Sequence, residues 1–583
     1  MLYPTLTASA ASREIVEEFR GYNHNLRIGD GEFYDMENLT SDDYPVLSPR
    51  HARGVYARPA SPNGLIAKEK LGYVNGSSFV YGDTSVDMGL STLAADNPKE
   101  LISMGAYVVI FPDKKYINTA DLTDYGDIEA SYTSTGTVRF FPCTVDGVTI
   151  TNVTSASTEP ANPTDLQYWV DTSVTPNVMK RYNGTTKTWI TVETTYVGIL
   201  AQGIGATFNQ YDGVSISGVT AEGLTDLNGN HTIWKTFGST IVVTGLLGTQ
   251  TTQDGAITVS RKIPNMDFVL ESENRLWGCR YGTALNGETV NEIYACKLGD
   301  FRNWNDFRGL STDSYAASCG TDGAFTGAIA HLGYPLFFKE NCVHKVYGSM
   351  PSQYQIQTTA LRGVQAGCHH SLAIVNETLF YKARSGVCAF DGSFPTEVSA
   401  ALGADAYSDA VAAGHGNKYY ISMRGSDGDW ALFVYDTAKG LWHREDDFHA
   451  SAFASIRGEL YAVDASNRNI IAMLGSGEAA ETAVEWMAET GDLGLSSPDN
   501  KYLSQIGIRM KAGTDTRIDI YAQYEHDGEW LKLCTVFGMG LKSFTVPIRP
   551  RRCDNLKLRL EGMGDAKIYS IVKTIRQGSD KFD

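Results

Sequence analysis

LGYPLFF at residues 332–338, VNETLFY at 375–381, HGNKYYI at 415–421 and RGELYAV at 457–463 are four versions of one phrase. Each places a short turn containing Gly or Asn before two or three large apolar residues, and SENRLW at 272–277 is an earlier copy. Phe337, Phe380, Tyr420 and Tyr461 mark the phrase at successive steps of 43, 40 and 41 residues. A second strand follows each turn: CVHKVYG at 342–348, GVCAFDG at 386–392, ALFVYDT at 431–437 and NIIAM at 469–473. A period of about 40–50 residues with four strands per unit is that of a β-propeller blade. A lone four-stranded blade cannot cover its own two apolar faces, whereas blades packed around an axis cover each other. An ordinary β-sandwich with evenly spaced strands is the competing reading.

Working outward, two earlier hairpins stand at 71–82 (LGYVNGSSFVYG) and 105–119 (GAYVVIFPDKKYINT). The pattern therefore predicts an all-β chain whose propeller begins near residue 50, is interrupted, and resumes near 265. Six to eight blades result, with seven favoured. The interruption is rich in Thr, Ser, Gly and Asn, and reads as one or two small β modules inserted into a surface loop, where chain ends lie close together. Beyond about residue 479 the alternation becomes strict, as in TRIDIYAQYEHDGEWLKLC and NLKLRLEG, which predicts a C-terminal antiparallel β-sandwich. The domain assignment is thus 1–50 N-terminal arm and first strand, 51–130 and 263–478 propeller, 131–262 inserted β module, and 479–583 sandwich. Helical periodicity is confined to 12–19 (SREIVEEF) and 405–413, which are expected to form short helices.

The composition agrees. Apolar residues make up 42% and charged residues 20%, enough apolar surface for burial to offset chain entropy. The 58 glycines supply turns, and the 11% aromatic content supplies pleated faces. A net charge of −18 argues against gripping phosphates. It fits either a self-repelling soluble surface or a wall past which DNA slides without sticking, and charge alone does not separate the two. The nine cysteines are odd in number and show no C-x-x-C spacing, so free, mostly buried thiols in a reducing cytoplasm are expected. The first 18 residues lack a secretory pattern, and the longest apolar stretch, 106–111, is too short to span a bilayer.

Chemistry-bearing motifs are few. There is no H-E-x-x-H, no Gly-rich phosphate loop and no G-x-S-x-G elbow. His369 and His370 are adjacent, so in a strand they would point to opposite faces and could not share a metal. His443 and His449 stand near Glu445, Asp446 and Asp447, which reads as a solvated acidic loop between blades. Asp226-Leu227-Asn228-Gly229-Asn230 opens like a calcium loop but has Phe237 at the closing acidic position, so an Asn-Gly turn is expected. Thr321-Asp322-Gly323 and Ser426-Asp427-Gly428 are fragments of a sialidase-type blade turn. No catalytic, cofactor or metal residue is assigned, and no enzyme activity is expected. Tyr168, Trp169, Tyr182 and Trp189 of the insertion are candidate contact aromatics for stacking on sugars; the competing reading is the module's own core.

Residues 19–53, FRGYNHNLRIGDGEFYDMENLTSDDYPVLSPRHAR, resemble the N-terminal signature of tailed-bacteriophage β-propeller virion proteins: a G-x-N opening, an acidic N-L segment and a P-x-L-x-x-R end. The stretches at 274–307 and 331–348 are similar to central blades of the same group, the tail hub, nozzle and DNA-stabilisation proteins. Residues 165–189 resemble small modules of phage tail proteins. The resemblance implies a structural protein of the virion, assembled in the host bacterial cytoplasm. It implies a ring oligomer, with a hexamer favoured, set below the portal and adaptor and in contact with other tail proteins. Such a ring lines or closes the DNA exit channel and lets DNA pass without specific binding; tail fibres are further possible partners. The alternative is a glycan- or receptor-binding tail propeller, and a glycosidase is a third reading. Length and the large insertion depart from the group.

Overall fold

A computed structural model describes residues 11–92, 99–283, 288–479, 481–493, 501–548, 552–553 and 555–577. The chain is all-β and of β-propeller type, built largely from four-stranded antiparallel sheets in up-and-down order. The repeated phrase has a clear physical basis. Glu273-Asn274, Leu332-Gly333, Asn376-Glu377 and Arg457-Gly458 each hold two consecutive positive φ values, the requirement of a type I′ hairpin turn. Gly and Asn tolerate that geometry best, which is why they recur there.

Two compact units divide the chain: Met1–Leu101 with Phe337–Val343 and Thr358–Asp583, and Ile102–Leu336 with His344–Gln357. In the first, one blade comprises Pro62–Ala67, Leu71–Asn75, Ser78–Tyr81 and Thr84–Asp87. A second comprises Ala373–Val375, Thr378–Ala383, Gly386–Phe390 and Thr396–Glu397, and a third Tyr407–His415, Lys418–Gly425, Trp430–Asp436 and Leu441–Arg444. The next is a five-stranded sheet whose first three strands are Ala450–Ile456, Glu459–Asp464 and Ile470–Ala472 and whose last is the two-residue Glu478–Ala479. Gly54–Ala57, from near the other end of the chain, pairs antiparallel with Ile470–Ala472 and supplies the fourth. Facing sheets cover each other as the blade argument requires: Leu71, Tyr73 and Val80 pack with Ala454, Val463 and Ile470, and Val55, Tyr420 and Leu432 with Leu460 and Ile471.

The strands Glu485–Thr490, Lys501–Tyr524, Leu531–Val546, Leu556–Met563 and Ala566–Gln577 form the C-terminal part. Their strict alternation is realised in burial, with Leu556, Leu558 and Leu560 inward and Lys557 and Arg559 less buried. These strands do not stand alone. Ala11–Val16 pairs with Ala566–Gln577, and Glu32–Glu37 pairs with Glu485–Thr490. Gly21–Tyr22 then joins Glu32–Glu37 to Leu441–Arg444 of the third blade, so hydrogen bonding is continuous from one to the other.

Both expected helices are strands. Ala11–Val16 carries the helix formers Glu14 and Arg13, but its β-branched end, Ile15-Val16, lies against a strand edge that offers a full ladder. Tyr407–His415 forms the outer strand of the third blade, paired from Tyr407 opposite Gly425 to His415 opposite Lys418. Tertiary pairing overrides local propensity in both places.

In the second unit the strands Tyr107–Phe111, Lys115–Asn118 and Tyr125–Asp127 share one apolar cluster with the sheet Phe268–Ser272, Arg275–Thr283, Thr289–Ala295 and Tyr315–Ser318. Val109, Phe111 and Ile128 meet Ile263, Val269, Leu276 and Trp304 there, so the chain leaves and re-enters the same core. Between those points lie two facing sheets with a core of their own, including Phe140, Val197, Ile199, Ile216, Ile241 and Val259. A further four-stranded sheet, Val153–Ala156, Tyr168–Asp171, Val178–Asn183 and Thr188–Thr191, lies within the same stretch of chain. Arg261 anchors the insertion, bonding the buried Asp212 at 2.6 Å and the carbonyl of Ile128 at 2.9 Å. Strand Glu100–Met104 crosses the division after Leu101. The strands Gly327–His331, Tyr334–Lys339, Cys342–Tyr347 and Gln355–Ala360 are apportioned between the units. Including these, seven four-stranded runs of the blade pattern are present among the described residues.

Candidate metal centre

His369 and His370 do not lie in a strand. They open the 3-10 turn His369–Ser371, which overturns the expectation that the two rings point apart. Ser371 fixes the turn: its side chain is fully buried, its hydroxyl donates to the Cys368 carbonyl at 2.6 Å, and the same oxygen accepts from the Lys382 amide at 2.9 Å. The Tyr419 hydroxyl donates to the Ser371 carbonyl at 2.7 Å, so the following blade holds the turn from the other side. In this tight turn the neighbouring imidazoles converge, with ring centroids 4.9 Å apart.

Both rings address one carboxylate. Nε2 of His369 lies 3.1 Å and Nε2 of His370 3.6 Å from Oε1 of Glu100, the first residue of strand Glu100–Met104. The three side chains are partly buried, at 23% exposure for Glu100, 15% for His369 and 31% for His370. One ligand atom from each falls within 4.8 Å of the others. Burial disfavours the Glu100 charge, but the charge and hydrogen bond of His369, then the charge of His370, more than offset it and lower the carboxyl to about 2. Burial pushes His370 below its ordinary value against the pull of Glu100. Two imidazoles and a carboxylate are a donor set suited to zinc and other divalent transition metals.

A cluster of paired charges lies elsewhere in the first unit. Arg50 grips both oxygens of Glu481, at 2.8 and 2.9 Å, and its Nε donates to Oδ1 of Asn38 at 2.7 Å. Arg53 donates to Asp446 at 2.6 Å and to Glu445 at 2.7 Å, and its own amide bonds Glu481 at 2.7 Å. The segment carrying His443, Glu445 and Asp446 is therefore not a solvated acidic loop. Glu445 is buried, and Asp446, although burial acts to raise it, is held below its ordinary value by Arg53 and Arg50. The arginines that neutralise this segment stand at the opposite end of the sequence. His443 is buried as well, and neither ring nitrogen has a hydrogen-bond partner among the described residues. His449 stacks on Trp430, with centroids 3.7 Å apart.

A polar cleft of about 430 Å³ is lined by Asp42, His51, His415, Lys418, Asp436 and Lys439. Its charges are paired internally: Lys418 with Asp42 at 2.7 Å and Lys439 with Asp436 at 3.0 Å.

The contact aromatics read from the sequence sit in the sheet Val153–Ala156, Tyr168–Asp171, Val178–Asn183 and Thr188–Thr191. Trp169 is buried, and Tyr168, Tyr182 and Trp189 are half-buried. Trp169 and Trp189 meet edge to face at 5.5 Å, and Tyr182 lies 5.2 Å from Trp189. Both indole N–H groups donate within the module, to the Ala156 carbonyl and to Glu159, each at 2.9 Å. Trp169, Tyr182 and Trp189 thus pack together on one face of that sheet, while Tyr168, the strand neighbour of Trp169, faces the other side. Sequence reasoning missed Glu100, since a single glutamate before ordinary strand residues carries no signal of its distant partners.

No family model and no curated protein matches the chain. Solved structures similar to it include an exo-β-1,3-galactanase from Phanerochaete chrysosporium, at 10% identity over 52% of this chain and 94% of that one, with a TM-score of 0.20. PorZ, a surface component of the type-IX secretion system of Porphyromonas gingivalis, matches at 10% identity over 89% and 71%, with a TM-score of 0.24. The N-terminal domain of Nup159 matches at 7% identity over 78% and 99%, with a TM-score of 0.21. At these TM-scores none of them bears on what this chain binds or does.

Proposed function

We propose that this chain is a non-catalytic structural subunit of a tailed-phage particle, a ring-forming tail hub, nozzle or head–tail junction protein. The observation that supports this reading is the use made of residues 19–53, the segment whose pattern resembles phage propeller proteins. Several of its residues serve as fastenings. Gly21 has φ +77°, and a Cβ there would overlap the Trp442 carbonyl, so only glycine lets this strand approach the third blade. Asn38 sits at φ +54° and holds Arg50, while Leu39 and Leu47 are buried. Arg50 and Arg53 close the carboxylate cluster described above. A signature built from turn formers, apolar anchors and paired arginines suits a protein selected to keep its shape under load.

On this reading copies associate as a ring, a hexamer being favoured, beneath the portal and adaptor, and the net charge of −18 disfavours adhesion of passing DNA. The insertion, with its own core, is the natural contact for neighbouring tail proteins or fibres. Cryo-electron microscopy of intact particles tests the proposal. The expected result is density for this fold at the tail axis in several symmetric copies. Absence from particles, a lone peripheral spike, or glycan turnover abolished by one carboxylate substitution would each refute it.

A further inference from the structure

We infer that Glu100, His369 and His370 form a binding site for a divalent transition metal, zinc by the character of its donors. This inference is independent of the phage reading. A tetrahedral zinc with nitrogen and oxygen bonds of about 2.0–2.1 Å sets its ligand atoms about 3.3 Å apart. The separations of 3.1 and 3.6 Å from Glu100 Oε1 to the two Nε2 atoms bracket that spacing.

A plain carboxylate–imidazole pair accounts for less. It explains His369 at 3.1 Å, but it leaves a second imidazole turned toward the same oxygen, from a turn that brings the rings within 4.9 Å. The turn itself is held by Ser371, Lys382 and Tyr419, so the rings are presented by a rigid support rather than gathered by the carboxylate. A metal bound to all three would tie the start of strand Glu100–Met104 to the turn that leads into strand Ala373–Val375, closing a long loop of chain. Three protein ligands leave a fourth position for water or for a side chain of a neighbouring molecule. The site's role would be a structural clasp, and its affinity would fall in acid as protons compete for the imidazoles.

The test uses the full-length protein, stripped with a chelator and exchanged into metal-free buffer. Zinc is titrated calorimetrically, and cobalt in parallel by visible absorption. The expected result is one saturable zinc per chain, a raised melting temperature with zinc, and the strong visible bands of four-coordinate cobalt. Glu100→Gln and His370→Gln should each weaken binding by at least about tenfold and remove the zinc-dependent rise in melting temperature. His51→Gln and His415→Gln, in the polar cleft, should leave both unchanged. Glu100→Asp keeps the charge but withdraws the oxygen; it should weaken zinc binding while preserving the metal-free melt, which separates ligation from folding. No saturable binding, or equal zinc affinity in wild type, Glu100→Gln and His370→Gln, would overturn the inference.

Discussion

Replacing His443 with leucine should remove an acid sensitivity from the third blade. The imidazole is 3% exposed, and neither nitrogen has a hydrogen-bond partner among the described residues. Burial is the main cause that lowers its pKa to about 3. Lys418 and Lys439 add to the effect, and Asp436 and Asp42 oppose it. In the unfolded chain the same group titrates near 6.5. Between those values the unfolded state binds the extra proton, so stability is full above about pH 6.5 and falls as pH drops toward 3. The slope approaches about 1.4 kcal/mol per pH unit, so roughly 2 kcal/mol is lost between pH 6.5 and 5. Leucine cannot titrate, and it also removes two unsatisfied nitrogens, so the variant should match or exceed wild type at pH 7. Hydrogen exchange read by mass spectrometry on peptides covering Trp430–Asp436 and Leu441–Arg444, corrected for intrinsic exchange rates, reports the opening free energy locally. The reasoning fails if wild type and His443→Leu lose protection in parallel from pH 6.5 to 5.

Arg53→Met should cost about 3 kcal/mol, because it leaves the buried Glu445 and its neighbour Asp446 with only the longer contacts of Arg50, at 3.8 and 3.6 Å; denaturant midpoints measure it, and a loss under about 1 kcal/mol would mean that the cluster behaves like a surface pair. Gly21→Ala should lower the melting temperature well beyond Gly76→Ala, since both residues have positive φ but a Cβ at Gly76 meets nothing within 4 Å. Equal effects would show that backbone strain alone matters at Gly21. Replacing residues 151–194 with a short Gly-Ser linker should remove the sheet spanning 153–191 and keep a cooperative melt, because the insertion's main core lies in the two facing sheets. Loss of all cooperative unfolding would make that sheet part of the scaffold.

The hairpins were legible because their turns demand unusual backbone angles. Leu332-Gly333 and Asn376-Glu377 announce themselves through the Gly and Asn that such angles favour, and the apolar pairs beside them mark the strands. Pairings between distant segments leave no such trace. Nothing in GVYA at 54–57 says that it completes a blade begun at Ala450, and SREIVEEF reads as a helix until the edge of Ala566–Gln577 is beside it. The candidate site was hidden for the same reason, together with a wrong premise about local structure. Adjacent histidines diverge in a strand and converge in the 3-10 turn that Ser371 imposes. The acidic segment around Glu445 was misread as solvated because its neutralising arginines, Arg50 and Arg53, lie at the far end of the chain.

The strand Gly54–Ala57 also imposes an order of events on biosynthesis. It emerges from the ribosome early, yet the edge it must join, Ile470–Ala472, is made late. The same holds for Ala11–Val16, whose partner, Ala566–Gln577, is the last of the described strands. A chain interrupted during translation therefore keeps open strand edges at its beginning, the kind of surface that invites mispairing and capture by quality control. Only a chain synthesised through Ala566–Gln577 can close both. Fragments that stop short of these partners are thus marked by their own unfinished sheets.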